Sequence, residues 1–365
     1  MKFMHCADLH LGGPGGRERM RAFLRMLEVC AQEGVQLLLI AGDLFDAPRV
    51  DARTADAVFG ALGAQEGLCV LIAAGNHDPA CPGGSYDRAL PDNVHVFGAE
   101  WSCVEIPAYG ARVWGASFAG EKQPPFAPEK RRLRLTEGLC DLGVLHGELT
   151  SAGARSDYRA ISPESIAATG VQYMALGHVH ARSLPARAGH TVYAYSGCAQ
   201  GAGFDEMGEK GAYLGTLDEN GLALSFVRLC GSMTVEAEAD ATGCADLSQL
   251  MQRCAQAVGE QPENRVRLRI TGTAQGFAVD VPALERMLSG RAAQLRVQDD
   301  TRAQRDYDAL ARESTLRGAF VRRMRERIAQ AEKSGDARTE RLALELGLRA
   351  FDGEVDVHVD RIAAH

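Results

Sequence analysis

Val35-Gln36-Leu37-Leu38-Leu39-Ile40-Ala41-Gly42-Asp43-Leu44-Phe45-Asp46 is an apolar run that stops abruptly in a glycine and two carboxylates. Val35 to Ile40 shows no polar alternation, which is the pattern of a strand buried on both faces. Working outward, Lys2 to Cys6 reads as a strand and Arg17 to Glu33 as a helix. Asp51 to Ala64 reads as a helix and Leu68 to Ala73 as another buried strand. The β-α-β-α-β order predicts parallel strands joined by helical crossovers. Short strands are expected at Val94–Phe97, Cys103–Ile106, Arg112–Gly115, Leu142–Leu145 and Tyr173–Leu176. Val192–Tyr195, Ala212–Leu217 and Leu222–Leu229 follow. Their close spacing after about residue 90 predicts a second, more antiparallel sheet packed on the first.

Past Leu229 the pattern changes. A strand at Thr234–Glu238, a helix at Asp246–Val258, a strand at Arg265–Thr271, a helix at Pro282–Leu288 and a strand at Gln294–Gln298 read as a small α+β module over 231–300. From Asp306 the chain reads as helical, and 301–365 forms a third segment. Leu316, Phe320, Met324 and Ile328 make a stripe that Val321 widens, and a break at Lys333-Ser334-Gly335-Asp336 precedes a helix over Arg338–Phe351. Between Leu316 and Arg327, the arginines Arg317, Arg322, Arg323, Arg325 and Arg327 face one acid, Glu326. Their plain reading is a solvated polar face; the apolar stripe opposite must be buried on its own domain or on a partner.

The composition is that of a globular chain: 365 residues, 46% hydrophobic and 24% charged. Asp8 arrives before any apolar run could form a signal-peptide core, and no stretch reaches membrane-spanning length, so a soluble cytoplasmic protein is expected. The ten cysteines contain no C-x-x-C pair and read as reduced core thiols. A net charge of −8 argues against a surface coated for nucleic acid, though not against a local cationic site.

Five blocks place metal-type ligands directly after apolar runs: Asp8-Leu9-His10, Gly42-Asp43-Leu44-Phe45-Asp46, Gly75-Asn76-His77-Asp78, His146-Gly147 and Gly177-His178-Val179-His180. Ligands gather beyond the carboxyl ends of parallel strands. In extended backbone, residues two apart point to one side, so Asp8 and His10, or His178 and His180, can aim at one point. Carboxylates, imidazoles and an amide without thiolate suit hydrolytic divalent ions better than a closed structural zinc site. With Asp8 and Asp43 as the only anionic ligands, a pair of such ions would leave the site net positive and attractive to phosphate esters. Any one block alone could be a turn or a solvated histidine; their joint occurrence at strand ends is what speaks for chemistry. His5 and Cys6 read as packed strand residues, and His95, His190, His358 and His365 as solvated.

The set resembles the calcineurin-like metallophosphoesterase signature D-x-H, G-D-x-x-D, G-N-H-D, H, G-H-x-H. The opening Phe3 to Gly12 and Gly42 to Asp46 are similar to the SbcD and YhaO branch of DNA-repair exonucleases. The resemblance implies a four-layer α-β-β-α sandwich over 1–230, a capping module over 231–300 and a C-terminal helical hairpin that grips an SMC-like ATPase. It implies two divalent ions, manganese being typical. Asp8, His10 and His180 would hold one, Asn76, His146 and His178 the other, and Asp43 would bridge them. His77 would face the substrate phosphate, with Asp46 orienting it. DNA would be the substrate, and a homodimer through the phosphoesterase domain is implied. One departure stands at Ala202, where relatives of the YhaO kind often carry arginine after Gln200-Gly201. Two other readings remain open: a phosphodiesterase or phosphatase for non-DNA substrates, and a non-catalytic assembly subunit.

Overall fold

The computed structural model describes residues 1–128, 140–274, 277–303 and 307–351. His358 and His365, and the expected helical start at Asp306, lie outside the described residues. The elements run β1 (Lys2–Cys6), α1 (Gly16–Glu33), β2 (Leu37–Ile40), α2 (Ala52–Gly63), β3 (Cys69–Ile72), β4 (Val94–Val96), β5 (Ser102–Ile106) and β6 (Ala111–Ala116). They continue with β7 (Cys140–His146), β8 (Glu148–Leu149), β9 (Ala160–Ile161), α3 (Pro163–Thr169), β10 (Tyr173–Gly177), β11 (Ala186–Ala188), β12 (Thr191–Tyr195), β13 (Gly211–Asp218) and β14 (Gly221–Arg228). Then come β15 (Thr234–Asp240), α4 (Leu247–Val258), β16 (Gln261–Thr271), β17 (Thr273–Ala274), α5 (Val281–Leu288), β18 (Ala292–Asp299), β19 (Arg302–Ala303), α6 (Tyr307–Arg312), α7 (Leu316–Ser334) and α8 (Arg338–Phe351).

Two six-stranded sheets face each other, one ordered β14-β13-β1-β2-β3-β4 and the other β11-β12-β10-β7-β6-β5. The period of two along β2 explains the layering. Leu38 and Ile40 pack with Phe23 and Met26 of α1 and Val58 and Phe59 of α2, while Leu37 and Leu39 meet Val113, Leu142 and Val144 of the other sheet. On the far face, Ile166 of α3 packs with Leu145, Met174 and Leu176. The result is α-β-β-α.

The second sheet differs from the antiparallel expectation. β6, β7, β10 and β12 run parallel to one another, and only the edge pairs β5–β6 and β11–β12 are antiparallel. The reason is visible in β7 and β10, whose residues are almost entirely buried, as in parallel strands covered on both faces. The hairpin of β13 and β14 joins the first sheet beside β1, and β4 joins it beside β3, rather than the second.

Contacts between Cα atoms divide the chain into two compact units: Met1–Glu238 with Cys254–Arg269 and Val281–Gln298, and Ala239–Arg253 with Ile270–Asp280 and Asp299–His365. In the second unit, Val321 and Met324 of α7 pack against Leu344 and Leu348 of α8. Leu316, read from sequence as part of that stripe, is 75% exposed. Thr315 caps α7 through Gly318 N–H, so Leu316 is the first helical residue and sits off the packed face. Three arginines of α7 find acids outside the helix: Arg317 pairs with Glu313, Arg325 with Asp308 and Arg327 with Glu340. No helix among the described residues is long and apolar enough to cross a membrane. All ten cysteines are free thiols.

Candidate metal centre

Asp8, Asp43, Asn76, His146 and His178 stand at or just beyond the carboxyl ends of β1, β2, β3, β7 and β10. The sandwich brings these ends to one edge. Ligand atoms of Asp8, His10 and His180 lie within 4.8 Å of one another, and so do those of Asp8, Asp43 and His146. Nε2 of His10 is 3.1 Å from Nε2 of His180. Oδ1 of Asn76 is 2.9 Å from Nε2 of His146 and 3.2 Å from Nδ1 of His178. Asp43 stands between the groups, its Oδ2 3.8 Å from Nε2 of His10 and 3.4 Å from Nε2 of His146. All seven residues expected as ligands meet in this one place.

The backbone is bent to achieve this. Asp8, His10, Asp43 and His178 have φ of 53°, 46°, 50° and 105°, a region that side-chain-bearing residues rarely adopt. Such strain persists where surrounding structure enforces it, characteristically at functional sites. Gly42, at φ 87°, is the adjoining position that tolerates no side chain, since a Cβ there would lie 2.2 Å from Nδ1 of His146.

Burial sets the electrostatics. Asp8 is 1% and Asp43 2% exposed. Burial, then repulsion from Asp43, pushes the Asp8 carboxyl up to about 8. Burial also raises Asp43, but His146, His10 and His77 outweigh it and hold it below its usual value. Burial lowers His10 and His146 to about 4, so both imidazoles are neutral at physiological pH and present lone pairs. A divalent cation would fit this cluster: it would balance the Asp43 charge and displace the proton that burial holds on Asp8. The oxygen and nitrogen donors fit such an ion.

His77 is exposed at the mouth of the site. Its N–H donates to Oδ1 of Asp43 at 3.0 Å, and its ring meets His10 edge-on with centroids 4.8 Å apart. Asp46, expected to orient His77, has Oδ1 3.0 Å from Nδ1 of His10 and 3.4 Å from Nη1 of Arg19. Its ligand atoms and those of His10 and His77 lie within 4.8 Å of one another. His5 and Cys6 are fully buried, His5 lying 2.7 Å from the Tyr173 hydroxyl, while His95 and His190 are exposed.

Sequence reasoning assigned no role to several supporting groups. Asp78, fully buried, accepts N–H bonds from Gly75, Asp43 and Phe45 and the Tyr86 hydroxyl at 2.5 Å, which ties the β2 and β3 loops together. Its position in Gly75-Asn76-His77-Asp78 was the available signal. Tyr86→Phe leaves that carboxylate short of one donor and is expected to cost about 1–3 kcal/mol, read from urea unfolding. Arg19 donates to the His10 carbonyl at 2.9 Å, and Arg159 to those of Ala116 and Ser117 at 2.7 Å. Glu206 hydrogen-bonds Nδ1 of His180 and raises that histidine. Burial alone would raise Glu206; bonds from His180 and Ala202 N–H bring it to about 2.

Residues 1–182 match the calcineurin-like phosphoesterase family. The chain is 27% identical over 308 residues to the uncharacterized metallophosphoesterase YhaO of Bacillus subtilis, covering 77% of this chain and 74% of that protein. It is 29% identical over 241 residues to the DNA double-strand break repair protein Mre11 of Aeropyrum pernix, with 58% and 57% covered. Over 108 residues it is 34% identical to the SbcD component of the SbcCD nuclease of Rhodobacter capsulatus, with 27% of each chain covered. Proteins of this family use divalent metals. The chain is a hydrolase built on a calcineurin-like metallophosphoesterase domain, with YhaO and nucleases of the SbcD and Mre11 type among its homologues.

Proposed function

We propose that this protein is a metal-dependent nuclease that hydrolyses phosphodiester bonds at DNA ends in repair, working with an SMC-like ATPase. The observation that carries this reading is the convergence of six ligand-type side chains around Asp43, whose Oδ2 faces His10 on one side and His146 on the other. The names of the Mre11 and SbcD relatives support DNA as substrate.

In this reading Asp8, His10 and His180 would hold one divalent ion, Asn76, His146 and His178 the second, and Asp43 would serve both; manganese suits the donors. When bound, the ions supply positive charge for the phosphate and a nucleophile at neutral pH. The protein's own residues do the rest. The exposed His77 ring reaches the phosphate from the solvent side and donates a proton to the departing oxygen. Asp46 and Arg19 fix the His10 turn, which in turn sets the edge-on packing of His77. Residues 1–230 are the catalytic domain, 231–300 a cap that selects DNA geometry, and 301–365 the segment that holds the ATPase. The protein works in the cytoplasm, as a dimer through its phosphoesterase domain.

Linear duplex DNA and a chromogenic phosphodiester, each with and without manganese, test the proposal. DNA cleavage that requires manganese and disappears in Asp43→Asn is expected. Hydrolysis of the small diester with intact DNA would redirect the substrate to a non-DNA ester, and inactivity on both would leave an assembly subunit.

A further inference from the structure

The geometry points to Glu206 as the positioning residue for His180, and hence for the ion that Asp8, His10 and His180 would share; the inference rests on the two-metal reading above. His180 lies on the loop after β10, and its side chain is 37% exposed. Packing alone therefore does not fix its ring. Its backbone carbonyl is pinned by Nζ of Lys210 at 3.0 Å and by Cys198 N–H at 3.2 Å. Glu206, on the loop between β12 and β13, fixes the side chain by accepting from Nδ1, while its other oxygen accepts from Ala202 N–H. A donor at Nδ1 leaves the lone pair of a neutral imidazole on Nε2. That atom is the one turned toward Nε2 of His10, 3.1 Å away. Glu206 thus selects both the tautomer and the rotamer that aim His180 into the cluster. Carboxylates that accept from a ligating imidazole typically change metal affinity about 10–100-fold when removed.

Manganese titration of the chelator-treated full chain by calorimetry, with thermal unfolding in chelator as the folding check, tests this. Wild type is expected to take up two ions. Glu206→Ala should lose about 10–100-fold in affinity for one of them and keep the other. Glu206→Gln, which keeps one acceptor oxygen, should fall between the two. Glu209→Gln removes the same charge from an exposed neighbouring position and should match wild type. Equal affinities in Glu206→Ala and wild type would overturn the role of Glu206 while leaving the two-metal site standing. An equal loss in Glu209→Gln would also overturn it, as an effect of charge alone. A wild-type chain that takes up no ion would remove both readings.

Discussion

Asp43→Asn is expected to reduce phosphodiester hydrolysis about a thousandfold or more and to abolish the rise in thermal stability produced by manganese. The substitution is nearly isosteric, and an amide oxygen can still accept the His77 N–H that Oδ1 of Asp43 now accepts at 3.0 Å. What disappears is a buried negative charge lying between His10 and His146. If Asp43 serves both proposed ions, its loss weakens the binding of each. About 4 kcal/mol of lost transition-state stabilisation corresponds to the thousandfold figure. Ligand-linked stabilisation follows ion affinity, so the thermal readout is independent of turnover. Hydrolysis within tenfold of wild type would show that Asp43 is not at the reacting centre.

His77→Ala should separate binding from chemistry. The imidazole is exposed and donates to none of the clustered carboxylates; only the backbone N–H contacts Asp43, and alanine keeps it. Manganese uptake should therefore stay at the wild-type level while kcat falls about 10²–10⁴-fold, the usual worth of a positioned proton donor. Steady-state kinetics on the chromogenic diester beside calorimetry makes the distinction. Unchanged kcat removes His77 from the mechanism, and lost ion binding recasts it as a ligand.

The parallel core of the first sheet is legible in the sequence because β2 and β3 are unbroken apolar runs and the helices between the strands carry clear stripes, such as Ala22, Phe23 and Met26 of α1; β4, β13 and β14 carry no such mark of the sheet they join. The second sheet's parallel core is not, because the crossover helix it shows among the described residues, α3, has only seven residues. Its signals are present in Ser162, which caps the helix, and in Pro163 at its first turn. The break between α7 and α8 shows in Gly335, but the packed stripe begins later than its spacing suggests, since Leu316 follows the cap directly. At the candidate site, every block that ends a buried strand can be found from spacing. Glu206 cannot. It acts across a loop contact with no periodicity and no strand end to mark it, so only the folded chain brings it to Nδ1 of His180.

Crystals grown with manganese and measured at its absorption edge test the central claim most directly. Two anomalous peaks are expected, about 3.5–4 Å apart as in other two-metal sites, with the Asp43 carboxylate between them. One peak should be flanked by Asp8, His10 and His180 and the other by Asn76, His146 and His178. A single peak, or none within ligand distance of Asp43, would contradict the two-metal reading.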